Sequence, residues 1–128
     1  MITREEILMG RDKVHPLTPE IEANLKKLLE AVNKFRAAYG KPLLVSSGWR
    51  PGSFNTAAGG AKASAHMVAL AVDFKDPDGF VDAFAAECDR KGLLKQWGLW
   101  LERPENTPGW CHLDCKDRGN RTSNIFVP

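Results

Sequence analysis

What the chain lacks narrows its class before any motif is considered. Its three cysteines, at positions 88, 111 and 115, are an odd number, which excludes a closed disulfide framework and suits a reducing compartment. Apolar runs are only a few residues long, far from the roughly 20 needed to cross a bilayer. The opening MITREEILMG is acidic where a secretory leader would be basic, and no apolar core follows it, so the expectation is synthesis in the cytosol without a signal peptide. Charge of one sign is scarce too: 18 basic residues against 16 acidic leave +2, which gives no field for nucleic acid. Repeats are absent, and the one biased tract is an Ala/Gly-rich loop.

What remains is an ordinary globular composition, 43% hydrophobic and 27% charged, at a length that suits a single domain spanning residues 1–128. A monomer is the default expectation. Thr3 and Glu6 have capping-box spacing ahead of a short helix that stops at Gly10. Thr18 and Pro19 then open a long helix, with Ile21, Leu25, Leu28, Leu29, Val32 and Phe35 at helical spacing and Gly40 as its stop. Leu43 to Val45 read as a short buried strand, and SSGWRPGSFNTAAGGAKAS as a long, ordered, functional loop. A strand over Ala69–Phe74 ends in the turn Asp76-Pro-Asp-Gly79. A second helix follows, with Phe80, Phe84 and Cys88 on its buried stripe and Gly92 at its C-terminal cap. Two further strands, about 97–102 and 110–115, suggest an antiparallel hairpin, and Ile125 to Val127 a final strand. The fold class expected is α+β, with helices packed on one face of a small, mostly antiparallel sheet.

The chemistry concentrates in few residues. His66 ends the Gly-rich loop, Asp73 ends the following strand, and His112 lies on the second strand of the hairpin. Two imidazoles and a carboxylate form a three-ligand set with a fourth position open, as a catalytic zinc needs. Spacing alone leaves two readings open: a metal site, or three unrelated polar residues. Cys111 and Cys115 bracket His112, but strand alternation turns both to the opposite face, where they read as buried hydrophobes.

The string Ser64-Ala-His66 through Ala71-Val-Asp73, followed by Gly109-Trp-Cys-His112, resembles the zinc D-Ala-D-Ala peptidase family, M15, which shares its fold with the hedgehog signalling domain. The family's S-x-H-x-x-G-x-A-x-D motif is matched at Ser64, His66, Ala71 and Asp73. Upstream, Ser47-Gly48-Trp49-Arg50 is similar to its S-G-x-R turn, followed by Asn55 and Gly59-Gly60-Ala61; the W-x-H-L stretch at Trp110 and the tail resemble phage-encoded members. The resemblance covers roughly residues 43 to 128. It implies zinc held by His66, Asp73 and His112, a hedgehog/DD-peptidase-like fold, and peptidoglycan stem peptides as substrate.

Two positions depart from the pattern. The motif glycine is Ala69, which a strand interior would accept, and the carboxylate that many members carry three residues before the last histidine is replaced by Gly109. The general base must then come from elsewhere. Pairing Glu102 with Trp110 would make Glu102 a diagonal neighbour of His112 at about 7 Å between Cβ atoms. Asp114 and Glu105 follow it in rank, Asp114 having the more ordinary role of orienting a ligand or pairing with an arginine; each of the three is otherwise a plain surface acid. Arg50 suits a substrate carboxylate or an oxyanion, or else a loop backbone; Ser64 suits substrate or a loop cap; Asn55 is a further substrate-side candidate. The expected function is a zinc metallopeptidase cutting an amide bond in peptidoglycan, phage or prophage encoded, reaching the wall after release from the cell. The alternatives are a catalytically inactive zinc module that binds cell wall or a partner protein, and a phage structural protein.

Overall fold

The structure is a computed structural model, and the residues it describes are 1–52 and 64–128. Local rules set the helices. In α1 (Arg4–Leu8) the Thr3 hydroxyl accepts from the Glu6 amide at 3.2 Å while the Glu6 carboxylate accepts from the Thr3 amide at 3.0 Å. Both bonds satisfy donors the helix cannot. In α2 (Pro19–Tyr39) Thr18 caps the Ile21 amide at 3.1 Å, and Gly40 closes the helix at φ +74°, a conformation that costs a glycine little. Leu25, Leu28, Val32 and Phe35 form its buried stripe.

Among the described residues, five strands form one sheet in the order β1-β2-β4-β3-β5: β1 (Val45–Ser47), β2 (Ala71–Asp76), β3 (Trp100–Glu102), β4 (Gly109–Asp114) and β5 (Ile125–Phe126). Every pairing is antiparallel except β3 with β5, as α+β organisation implies. Alternation divides the sheet in two. Val72 and Phe74 of β2, Cys111 and Leu113 of β4 and Leu101 of β3 join the core with residues of α1, α2, α3 (Phe80–Arg90) and α4 (Leu93–Trp97). Asp73, His112, Asp114, Trp100 and Glu102 take the other face. The functional surface is thus the sheet face turned away from the core.

Several boundaries differ from the sequence reading, each for a local reason. β1 begins at Val45, two residues late, because Leu43 is buried in the core while Leu44 stays 62% exposed at the sheet edge. The strand expected from Ala69 begins at Ala71. The buried stripe of α3 is Val81, Ala85 and Cys88, and Phe80 is 67% exposed at the helix start. Gly92, at φ +75°, opens α4 after Lys91 has closed α3, so residues 93–97 are helix and β3 is confined to 100–102. The hairpin register is shifted by two: Trp100 faces Asp114 and Leu101 faces Leu113. A shift of two keeps every side chain on its face, whereas a shift of one would have inverted them.

Two buried acids, Asp76 and Asp82, lie apart from the functional face. Asp76 caps α3, accepting from the amides of Val81 at 3.0 Å and Asp82 at 2.9 Å. Asp82 is 6% exposed, accepts from the Thr107 hydroxyl at 3.3 Å and faces the Cys111 thiol. Burial, opposed by the Cys111 and Thr107 hydrogen bonds and aided by the charge of Asp76, pushes its carboxyl from 3.8 up to about 6. A carboxyl raised in the folded state binds its proton more tightly there, so stability falls as pH rises between those two values. Asp82→Asn is therefore expected to stabilise the protein at pH 7 by about 1 to 3 kcal/mol in urea melts, with the gain vanishing below about pH 4. An equal change at both pH values would contradict this account.

Candidate metal centre

His66 is presented by a 3₁₀ turn, Ala65–Val68, whose cap is Ser64: its hydroxyl accepts from the His66 amide at 3.2 Å. The turn ends at Ala69, which adopts φ +61° and ψ +33° and returns its amide to the carbonyls of Ala65 and His66. Ala69 is thus a left-handed cap and not a strand-interior residue, which corrects the sequence reading and explains why the family motif has glycine there.

The segment 47–50 docks onto this turn. Gly48 accepts from His66 Nδ1 at 2.7 Å, Trp49 donates its indole N–H to the Met67 carbonyl at 3.0 Å, and Arg50 donates its amide to the His66 carbonyl at 2.9 Å. Trp49 is 3% exposed and serves as a strut. Gly48 passes so close to α1 that a Cβ would stand 2.2 Å from the Ile7 carbonyl oxygen. No side chain fits, and the close approach is what places the Gly48 carbonyl at the imidazole.

A carbonyl oxygen can only accept, so Nδ1 of His66 carries its proton and Nε2 is the nitrogen turned to the site. Nε2 lies 3.3 Å from Asp73 Oδ1, and His112 Nδ1 lies 2.8 Å from the same oxygen. The ligand atoms of His66, Asp73 and His112 all fall within 4.8 Å of one another. Ligand atoms around a tetrahedral zinc stand about 3.3 Å apart, so side-chain movements on the order of an ångström would let the three hold the ion. The donor set, two imidazoles and a carboxylate, suits zinc. Between His66 Nε2 and the Asp73 oxygen, two natural acceptors face each other, and a proton or a cation must lie between them.

The second imidazole is fixed differently. His112 Nε2 donates to Asp114 Oδ2 at 2.7 Å, two residues further along the same face of β4. Burial would lower the His112 pKa, but hydrogen bonds to Asp114 and Asp73 and their charges outweigh it, and the metal-free ring is raised from 6.5 to about 9. Burial would likewise raise Asp73, but its bonds with His112 and His66 hold it far below the usual carboxylate range. Asp114 is also lowered: burial is overcome by His112 and Arg118.

Glu102 closes the row. Continuing the β3–β4 register by one residue sets it opposite His112, as Asp73 is on the other side, giving Asp73, His112 and Glu102 across three strands. Half-buried, its carboxyl is raised by desolvation, with the charge of His112 partly opposing. The other candidate bases are committed elsewhere. Asp114 is fully buried and accepts from His112, the Lys116 amide and both terminal nitrogens of Arg118, which leaves no lone pair for water. Glu105 is exposed and paired with Arg103 at 2.5 Å, which lowers its carboxyl.

The remaining candidates divide. Arg50 Nε is buried and, among the described residues, has no hydrogen-bond partner; its guanidinium lies near that of Arg11. Ser64 caps the His66 turn, its hydroxyl accepting from the His66 amide. Asn55, with Phe54 and Gly59 to Ala61, lies outside the described residues. Cys111 and Cys115 sit on the core side of the sheet, as alternation implied; burial pushes the Cys115 thiol up to about 12 and Cys111 well above its ordinary value, so neither is a thiolate ligand. Sequence reasoning missed Arg118. The signal was present in outline, since Asp114 shares the face of His112 and an arginine follows four residues later, but no local rule says that the chain folds back there.

The family model described as Peptidase M15 matches residues 2–114 of the chain. No curated protein and no solved structure matches it.

The conformation of Ala69 is open to a direct test. Ala69→Gly relieves about 1–2 kcal/mol of left-handed strain, against about 0.4–1 for the freer unfolded chain and about 0.8 for the lost methyl. Near-neutral stability by chemical denaturation is expected. A strand-interior position has no strain to relieve and would lose both remaining contributions, about 1.5 kcal/mol, and that result would contradict the assigned turn.

Proposed function

The chain belongs to peptidase family M15, and on that footing we propose that it is a zinc-dependent peptidase that hydrolyses an amide bond in the peptide part of bacterial peptidoglycan. The observation that carries the reading is the convergence of His66 Nε2, Asp73 Oδ1 and His112 Nδ1, with the half-buried Glu102 on the same sheet face across the strand from His112. Those three atoms would hold zinc. A zinc ion held there would supply an activated water and a Lewis acid for the scissile carbonyl.

The chain's own residues do the rest. Glu102, across the strand from His112, takes a proton from the attacking water and delivers it to the departing amine. Its burial suits this, because a carboxylate raised toward neutrality is a better proton carrier than one held at its ordinary value. Glu102 thereby stands in for the carboxylate missing at Gly109, where φ is +90° and any side chain would be strained. Arg50 offers a guanidinium to a substrate carboxylate: its buried Nε has no hydrogen-bond partner among the described residues, and the nearby positive charge of Arg11 favours an anion there. Asn55 remains a candidate on the substrate side. The Trp110–Leu113 stretch and the tail support a role in phage or prophage lysis, with the enzyme acting on the wall after release.

The second reading is a zinc module that binds cell wall or a partner protein without cutting, and Gly109 is what favours it. Glu102→Gln separates the two. Assayed on purified stem-peptide and cross-link fragments, the variant is expected to lose about 10²-fold or more in kcat while keeping zinc and fold. Unchanged turnover would remove Glu102 from the mechanism; a zinc-loaded wild type inert on every fragment would favour the binding module.

A further inference from the structure

We propose that the segment after β4, residues 115–128, is a clamp on the metal centre, with Arg118 as a positioning residue that locks His112 through Asp114. The proposal rests on the reading of His66, Asp73 and His112 as metal ligands and adds a part of the chain to that site. The ligands lie within residues 2–114, the span the family model matches, whereas Arg118 and Phe126 lie beyond it.

The chain of contacts is continuous. Asp114 is completely buried, and a lone carboxylate there would be costly. Four donors saturate it. Oδ2 accepts from His112 Nε2 at 2.7 Å and from Arg118 Nη2 at 3.0 Å; Oδ1 accepts from the Lys116 amide at 3.1 Å and from Arg118 Nη1. The guanidinium holds the carboxylate from both oxygens, so the carboxylate cannot rotate away from the imidazole. The guanidinium is itself held, its Cζ 3.5 Å from the centre of the Phe126 ring and 5.8 Å from that of Trp100. Phe126 completes the loop. It sits on β5, beside Glu102 of β3, and its ring meets that of His112 edge-on at 5.8 Å.

What this does to His112 follows from the two ring nitrogens. With Nε2–H committed to Asp114, Nδ1 is the nitrogen left for the ion, and the ring plane is fixed. Take away Arg118 and Asp114 becomes an under-paired buried anion, free to swing and to draw water. The two histidines are then held by unlike devices. A neutral backbone carbonyl at Gly48 fixes His66 from within the matched span, and a carboxylate braced by an arginine from the tail fixes His112.

The test is zinc affinity, measured by competition with a chromophoric chelator, for wild type, Arg118→Gln, Arg118→Lys and Phe126→Leu. Arg118→Gln is expected to weaken zinc about 10- to 100-fold, the range for loss of an outer partner of a ligating histidine. Arg118→Lys, which keeps the charge without the two-pronged hold, should fall between it and wild type. A second readout separates positioning from mere stability: the His112 Nε2–H proton in the NMR spectrum of the zinc-loaded protein should be observable in wild type and lost to exchange in Arg118→Gln. If Arg118→Gln does not fold, Phe126→Leu carries the test, with a smaller loss of zinc affinity in the same direction. Wild-type zinc affinity and an unchanged ring proton in the variants would overturn the clamp and leave the metal centre standing. A wild type that takes up no zinc would overturn both.

Discussion

A single carboxylate oxygen, Asp73 Oδ1, sits within 3.3 Å of two imidazole nitrogens that reach it from different parts of the chain. Everything else in the site depends on this contact. Asp73 belongs to the central region of the sheet, where β1 and β4 pair with β2 on either side, so its position is set by backbone hydrogen bonds on both flanks. Around that fixed oxygen, His112 is placed by the same sheet and His66 by a turn folded over it. A buried anion between two imidazoles is stable only with positive charge beside it, whether protons or a metal ion. In the metal-free protein the charge is carried by protons, and the raised pKa of His112 expresses it. Zinc would replace them, so its uptake should be coupled to proton release.

The sheet makes this arrangement possible by giving its two faces different work. The face with Val72, Phe74, Leu101, Cys111 and Leu113 binds the helices into one core, while the other carries Asp73, His112, Asp114 and Glu102. Strand alternation converts Cys-His-Leu-Asp into a core residue, a candidate ligand, a core residue and that candidate's hydrogen-bond partner. The precision the chemistry needs then comes from rigid elements, with loops used where the chain must reach across, as at Gly48 and at the tail.

Much of the fold was legible because it is written locally. Thr3, Thr18, Pro19 and Gly40 mark helix ends through hydrogen bonds made within three or four residues, and the buried stripe of α2 follows from its periodicity. The His66, Asp73 and His112 cluster was legible through the motif at Ser64 to Asp73 together with the Gly109–His112 stretch. What stayed hidden depends on contacts distant in sequence. The hairpin register could not be read because its connection is a 3₁₀ turn flanked by prolines and not a tight turn of known geometry, yet Glu102 stayed on the right face because the error was even. Ala69 was misread because alanine gives no hint of a left-handed backbone. Gly92 gives a turn signal but does not say whether a strand or a helix follows. Phe126 was invisible because its role exists only once β5 pairs with β3 and returns the tail to the site, and Arg118 was legible only in outline, as an arginine four residues after Asp114.

His66, Asp73 and His112 form the proposed zinc site on which the rest of the reading depends. Elemental mass spectrometry of the purified protein beside His66→Ala tests it most directly. The account predicts about one zinc per wild-type chain and a loss of that metal in the variant, whose sheet pairings do not involve His66. No metal in either protein, even after incubation with zinc, would contradict it.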